Sequence, residues 1–214
     1  MKLLELIPAK TDRAVLVGMT GSGKTTLAMH LLRYSPHVVA IDPKGLLNWQ
    51  GYQRFTTLAE AVKCEEPKII YAPKETELRD TSYHEAFFAW IYQRGNCTLY
   101  VDEVFGVAFG NRLPPHYHAC LTRGRERGIA TYSSTQRPVT LPNVILSESE
   151  KWFVFRLSMP GDRKKVEETV AISNEAIVNL KKMEFFHVTA EDQTPRGPLK
   201  LDLTNHHYQE EKNA

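Results

Sequence analysis

Short apolar runs rich in β-branched residues alternate along this chain with longer stretches whose apolar positions recur at helical spacing. Runs at 13–17, 37–42, 68–73, 97–103, 129–134, 152–157 and 185–189 predict strands. Several are continuously apolar, the pattern of a strand covered on both faces. Helices are predicted over 26–33, 83–93, 115–127, 162–170 and 174–182, with Pro115 at a helix start and Gly128 as a stop. Asp42-Pro43-Lys44-Gly45 and Gly95-Asn96 are turn clusters. Residues 193–198 read as a turn, 199–203 alternate like an edge strand, and 204–214 form a polar tail. The rhythm of strand and helix predicts an α/β fold, a mostly parallel central sheet with helices on both faces. With 214 residues, it fits one domain over 1–203 followed by the tail 204–214.

Composition narrows the partners only slightly. Twenty-seven Lys and Arg against 25 Asp and Glu leave a formal charge of +2, so any nucleic-acid contact must come from local clusters. Cys64, Cys97 and Cys120 form no C-x-x-C pair, which argues against a disulfide framework or a zinc site and for reduced thiols in a cytoplasmic setting. The apolar run 86–92 falls far short of the roughly 20 residues that cross a bilayer, and the stripe at 1–8 is interrupted by Glu5, so no transmembrane segment or signal sequence is expected. His206-His207 has no third ligand at a useful spacing and is read as tail.

Gly18-Met19-Thr20-Gly21-Ser22-Gly23-Lys24-Thr25 fills every fixed position of the P-loop pattern G-x-x-x-x-G-K-[ST], between a predicted strand and a predicted helix. Small residues let the backbone wrap phosphates with its N–H groups inward, at the positive end of the following helix. The pattern predicts binding of a nucleoside triphosphate, with Gly18, Thr20, Gly21, Ser22, Gly23, Lys24, Thr25 and Thr26 as contacts. Lys24 is placed to reach the β- and γ-phosphates, and the Thr25 hydroxyl to complete the coordination of Mg²⁺.

Tyr100-Val101-Asp102-Glu103 ends a buried strand in two acids. Delivered beside the P-loop, Asp102 is the candidate metal-side acid and Glu103 the group that orients or deprotonates an attacking water. Gln136 follows the strand 129–134 and emerges on the same sheet edge, where its amide can touch γ-phosphate or water. Thr122-Arg-Gly-Arg-Glu-Arg-Gly128 packs three arginines at a spacing of two, which on a helix serve different surfaces. Arg125 is the candidate arginine finger. The basic runs Arg163-Lys164-Lys165 and Lys181-Lys182 read as solvated faces.

With the P-loop, Asp42-Pro43-Lys44-Gly45, Asp102-Glu103 and Gly128-Ile-Ala-Thr-Tyr-Ser-Ser-Thr-Gln-Arg-Pro138 in that order, the chain resembles the FtsK/HerA superfamily of DNA-pumping P-loop ATPases. In size it is similar to the compact genome-packaging ATPases of membrane-containing double-stranded DNA viruses. The resemblance implies a RecA-like core, a homo-oligomeric ring with ATP between neighbours, double-stranded DNA through the centre, and capsid or viral membrane proteins as docking partners, in host cytoplasm or at a virion vertex. It implies Asp102 and Glu103 as the Walker B pair, Gln136 as the sensor and Arg125 as the finger. Residues 104–115, with Asn111 and Arg112, are the expected channel-facing loop. A small P-loop kinase and a nucleotide-switched assembly factor without translocase activity are the competing readings.

Overall fold

The computed structural model describes Leu6 and residues 10–201. The tail at 204–214, its two histidines and nearly all of the 1–8 stripe lie outside the described residues. Nine strands, β1 (Arg13–Val17), β2 (Val38–Ile41), β3 (Gln53–Phe55), β4 (Lys68–Tyr71), β5 (Thr98–Val101), β6 (Ala130–Thr135), β7 (Lys151–Phe155), β8 (Glu184–Thr189) and β9 (Arg196–Lys200), form one sheet in the order β3-β4-β2-β5-β6-β1-β7-β8-β9. The first seven strands in that order pair in parallel, whereas β8 and β9 add on antiparallel. The expected α/β fold with a mostly parallel sheet is therefore present, with an antiparallel edge that the sequence rhythm did not announce.

Alternation along the strands builds two cores. Val15 and Val17 of β1 face one side, with Phe87, Phe88 and Ile91 of α4 (Thr81–Arg94), Tyr117 and Leu121 of α5 (Pro115–Arg123), and Val166 of α7 (Pro160–Val170). Ala14 and Leu16 face the other, with Leu27, Leu31 and Leu32 of α1 (Lys24–Leu32) and the Trp49 and Tyr100 rings. Side chains of neighbouring residues point to opposite faces, so a continuous apolar run feeds both cores at once. The remaining helices are short: α2 (Leu58–Ala61), α3 (Glu75–Leu78), α6 (Asn143–Glu148) and α8 (Asn174–Asn179).

Three boundaries differ from the expectation. The helix predicted over 115–127 changes at Gly124 into a 3-10 turn, Gly124–Arg127, because Ile129 N–H reaches back to the Gly124 carbonyl at 2.9 Å and draws the chain into β6. The helix predicted to Lys182 ends at Asn179, since residues 181–184 turn to dock on the phosphate loop. The last strand starts at Arg196 rather than 199, and tolerates Pro198 because among the described residues only β8 pairs with it.

His187 of β8 is buried against the Phe153 ring, 4.9 Å between centroids, and among the described residues neither ring nitrogen has a hydrogen-bond partner. Burial, aided by Lys151 and Arg196, pushes its pKa down to about 4. A histidine that protonates more readily in the unfolded chain stabilises the fold fully above about pH 6.5 and loses that contribution as pH falls towards 4, up to about 3 kcal/mol. Urea unfolding at pH 7.5 and pH 5 is expected to show a smaller acid loss for His187→Phe than for the parent chain.

Candidate functional site

The phosphate loop leaves the carboxyl end of β1 and is pinned by both neighbouring strands. Gly18 N–H donates to the Thr135 carbonyl at 3.2 Å and Met19 N–H to that of Arg156 at 2.8 Å. Two glycines are required sterically. A Cβ on Gly18 would stand 2.5 Å from the Phe155 Cβ, and one on Gly23, whose φ is +117°, would stand 2.6 Å from the Met183 sulfur. Met183 N–H donates to the Ser22 carbonyl at 2.9 Å, so the turn before β8 buttresses the loop from outside.

Helix α1 begins at Lys24 with no side-chain cap and no acid in its first turn. Its leading N–H groups consequently point outward without intrahelical acceptors, which suits an anion. The Ser22 hydroxyl is buried with no partner among the described residues, a donor in the wall of a loop whose other groups also favour phosphate. The Lys24 ammonium bonds the Gly18 and Met19 carbonyls at 2.6 and 3.1 Å, and burial lowers its pKa to about 8. A buried cation hydrogen-bonded to neutral carbonyls, with the Glu103 and Asp102 charges also acting on it, gains from an arriving anion. Thr25 and Thr26 follow, half-buried, in the first turn.

The acids do not come from the strand next to β1. Strand β6 lies between β1 and β5, correcting the simple picture of an acid strand directly flanking the loop. Strands β1 and β6 end together, Val17 paired with Thr135, whereas β5 ends two residues earlier, Val101 paired with Ser133, and Asp102 and Glu103 run on from it towards the end of β6. The Tyr100 hydroxyl donates to Asp102 Oδ1 at 2.7 Å, and the Thr25 and Ser134 hydroxyls are near enough to oppose the rise of its pKa. Burial raises the Asp102 carboxyl above its ordinary range, against the pull of the Tyr100 hydrogen bond.

Glu103 sits in left-handed backbone, φ 67°, a conformation that costs a non-glycine residue about 1–3 kcal/mol and recurs at functional sites. Its Oε1 accepts from the Thr135 hydroxyl at 3.1 Å and from Gln136 N–H at 3.4 Å, and its Oε2 accepts from Lys44 Nζ at 3.1 Å. The Gln136 amide oxygen accepts from the Thr20 hydroxyl at 2.6 Å, joining the loop to β6. Lys24, Thr20, Thr25, Asp102, Glu103 and Gln136 thus gather at one edge. A hydroxyl and a carboxylate are hard oxygen donors that fit Mg²⁺, which takes its other ligands from phosphate and water.

Arg125 is elsewhere. It pairs with Glu150, which also holds Arg13 at the amino end of β1. Five residues of strand, roughly 15 Å, separate that edge from the phosphate loop. Arg123 and Arg127 instead share the Tyr92 ring, with Arg127 Nε also donating to the Tyr92 carbonyl at 2.6 Å. Arg163, expected on a solvated face, bonds Asn174 and the Leu157 and Ser158 carbonyls. Asn111 and Arg112 are exposed at a small hairpin in which Phe109 pairs with Arg112.

Sequence reasoning missed the roles of Lys44, Tyr100 and Thr135. Tyr100 was findable, since it stands two residues before Asp102 and must share its face. Lys44 was read as part of a turn and of a stretch that carries the resemblance, with no role of its own.

No family model matches the sequence. Over 183 residues the chain is 29% identical to the DNA packaging ATPase P9 of Enterobacteria phage PRD1, covering 80% of this chain and 76% of that protein. The genome packaging NTPase B204 of Sulfolobus turreted icosahedral virus 2, solved with AMPPCP, superposes with a TM-score of 0.73 at 20% identity, covering 90% of this chain and 99% of that one. The plasmid coupling protein TrwB, solved with GDPNP, superposes at 0.65 with 9% identity, covering 89% and 86%. The chain shares the fold of these P-loop NTPases. The packing around Gly23 leaves no room for a side chain. Gly23→Ala is expected to cost about 1–3 kcal/mol in denaturant unfolding and to weaken nucleotide binding more than a surface substitution of similar cost.

Proposed function

We propose that this chain is the ATP-hydrolysing subunit of a viral genome-packaging motor that moves double-stranded DNA. The observation that carries the reading is the convergence of Lys24, Thr25, Asp102, Glu103 and Gln136 at the carboxyl edge of β1, β6 and β5, in a chain similar to a phage packaging ATPase. The loop N–H groups and Lys24 bind and orient the phosphates. Thr25 and Asp102 would hold Mg²⁺, which would supply positive charge against the phosphate oxygens. Glu103 takes a proton from the attacking water, and Gln136 orients that water or the γ-phosphate. Two carboxylates and an amide facing the γ-position favour water over an acceptor hydroxyl, which separates this reading from a kinase.

Translocation requires subunits in a homo-oligomeric ring, double-stranded DNA through its centre, and a docking site on capsid or viral membrane proteins at a virion vertex or in host cytoplasm. Among the described residues no helix is long and apolar enough to cross a membrane. The exposed hairpin bearing Asn111 and Arg112 lies a few residues beyond Glu103, so movement at the acid is transmitted to it along a short stretch of chain. Contacts to DNA phosphates make binding salt-sensitive and largely blind to sequence. Arg125 stands too far from its own phosphate loop to act there, so its role as a finger is exercised on a neighbour's nucleotide, after release from Glu150.

Phosphate release measured with and without linear double-stranded DNA, alongside the assembly state, tests the function. Stimulation by DNA is expected, and nucleotide binding with no stimulated release would favour an assembly factor. Lys24→Ala and Glu103→Gln are each expected to lower turnover at least about a hundredfold with the fold retained. Mixing Arg125→Ala with Glu103→Gln subunits should recover part of the activity at interfaces pairing two intact elements. Recovery with Arg123→Ala in place of Arg125→Ala would move the finger to Arg123.

A further inference from the structure

Lys44 carries a charge in the site that the nucleotide-binding motifs leave unexplained. It sits just past β2 on a turn fixed from below: the fully buried Asp42 accepts from Lys44 N–H at 3.2 Å through Oδ1 and from Leu47 N–H at 2.6 Å through Oδ2. Gly106, in the turn after Glu103, packs so closely on Pro43 that a Cβ there would lie 2.6 Å from the proline Cβ. The base of Lys44 is therefore rigid, while its side chain is 38% exposed and free to swing. Its ammonium lies 3.1 Å from Glu103 Oε2, and its charge is felt at both Lys24 and Asp102.

With Thr135 and Gln136 on Oε1 and Lys44 on Oε2, both oxygens of Glu103 are engaged before any phosphate arrives. An ion-paired oxygen is a poor acceptor for the proton of water, because accepting it discards the pair. A triphosphate seated on the loop places its terminal group between Lys24 and Glu103, and offers Lys44 a second anion within a side-chain swing. A diphosphate does not reach so far.

We propose that Lys44 is a positioning residue that distinguishes nucleoside triphosphate from diphosphate: it holds Glu103 Oε2 when no γ-phosphate is present and transfers to a γ-phosphate oxygen when one is, freeing Oε2 for the attacking water. The proposal rests on the reading of the P-loop as the ATP site. Hydrolysis itself is unaltered in its balance: the water oxygen bonds to the γ-phosphorus, the bond to the bridging oxygen breaks, and the water proton goes to Glu103.

Calorimetric titration with ADP and with ATPγS, in the presence of Mg²⁺, tests it on the parent chain, Lys44→Met, Lys44→Arg and Glu103→Gln. Lys44→Met is expected to lower the ratio of ATPγS to ADP affinity about tenfold, the scale of one charge-assisted hydrogen bond, while ADP affinity changes less than about twofold. Lys44→Arg should restore most of the ratio. Glu103→Gln should raise the ratio when Lys44 is present and leave it unchanged when combined with Lys44→Met, a coupling that a merely structural lysine would not produce. An unchanged ratio in Lys44→Met, or equal losses for both nucleotides, overturns the role of Lys44. Failure of the parent chain to bind either nucleotide sinks the P-loop reading itself, and the proposal with it.

Discussion

The register of three adjacent parallel strands is the constraint on which the site depends. Strands β5, β6 and β1 pair so that Asp102, Glu103, Gln136 and the phosphate loop all follow the carboxyl ends of their strands at the same edge of the sheet. Parallel pairing puts carboxyl ends on a common edge, and ligands of such sheets bind there. A slip of one residue in β6 would send Thr135 to the opposite face and deprive Glu103 Oε1 of its hydroxyl donor. The geometry of the acid is thus a consequence of backbone pairing before any side chain is considered.

The middle strand carries an unusual burden. Ser133, Ser134 and Thr135 are consecutive, polar and buried at the centre of the sheet. Partners come from other elements: Tyr117 meets the Ser133 hydroxyl at 2.7 Å and Glu103 accepts from that of Thr135, while Ser134 lies near the Tyr100 phenol. Unmatched, each would cost about 1–3 kcal/mol. Matched, they form a polar seam from α5 to the acids, and they explain why β6 is less apolar than its neighbours. The opposing charges in the site are balanced in the same way, with Lys24 and Lys44 facing Asp102 and Glu103 inside a partly desolvated cleft.

The sequence announced the parallel part of this fold because strands buried on both faces read as continuous apolar runs, and the P-loop because its chemistry tolerates few alternatives. It left β3 unseen, since Gln53 and Arg54 are exposed and the strand has only β4 beside it. The short α2 and α3 were also missed. They are tied together by one buried carboxylate, Glu77, which accepts from Leu58 N–H and the Tyr71 hydroxyl, a contact between distant residues that no local pattern encodes. Within the site, residues fixed by a motif were legible: Lys24, Thr25, Asp102, Glu103 and Gln136. Lys44 was not, because its role arises from β2 and β5 lying side by side, and adjacency in a sheet is not written in either strand alone.

The account turns on a metal-bearing triphosphate held between the loop and the acids. A crystal structure with Mn²⁺ and a non-hydrolysable ATP analogue, with the metal located by its anomalous signal, addresses it directly. The account predicts a peak within about 2.2 Å of the Thr25 hydroxyl, on the side of Asp102, with the γ-phosphate between Lys24 and Glu103. A metal bound away from Thr25, or a nucleotide whose terminal phosphate points away from Glu103, would contradict it.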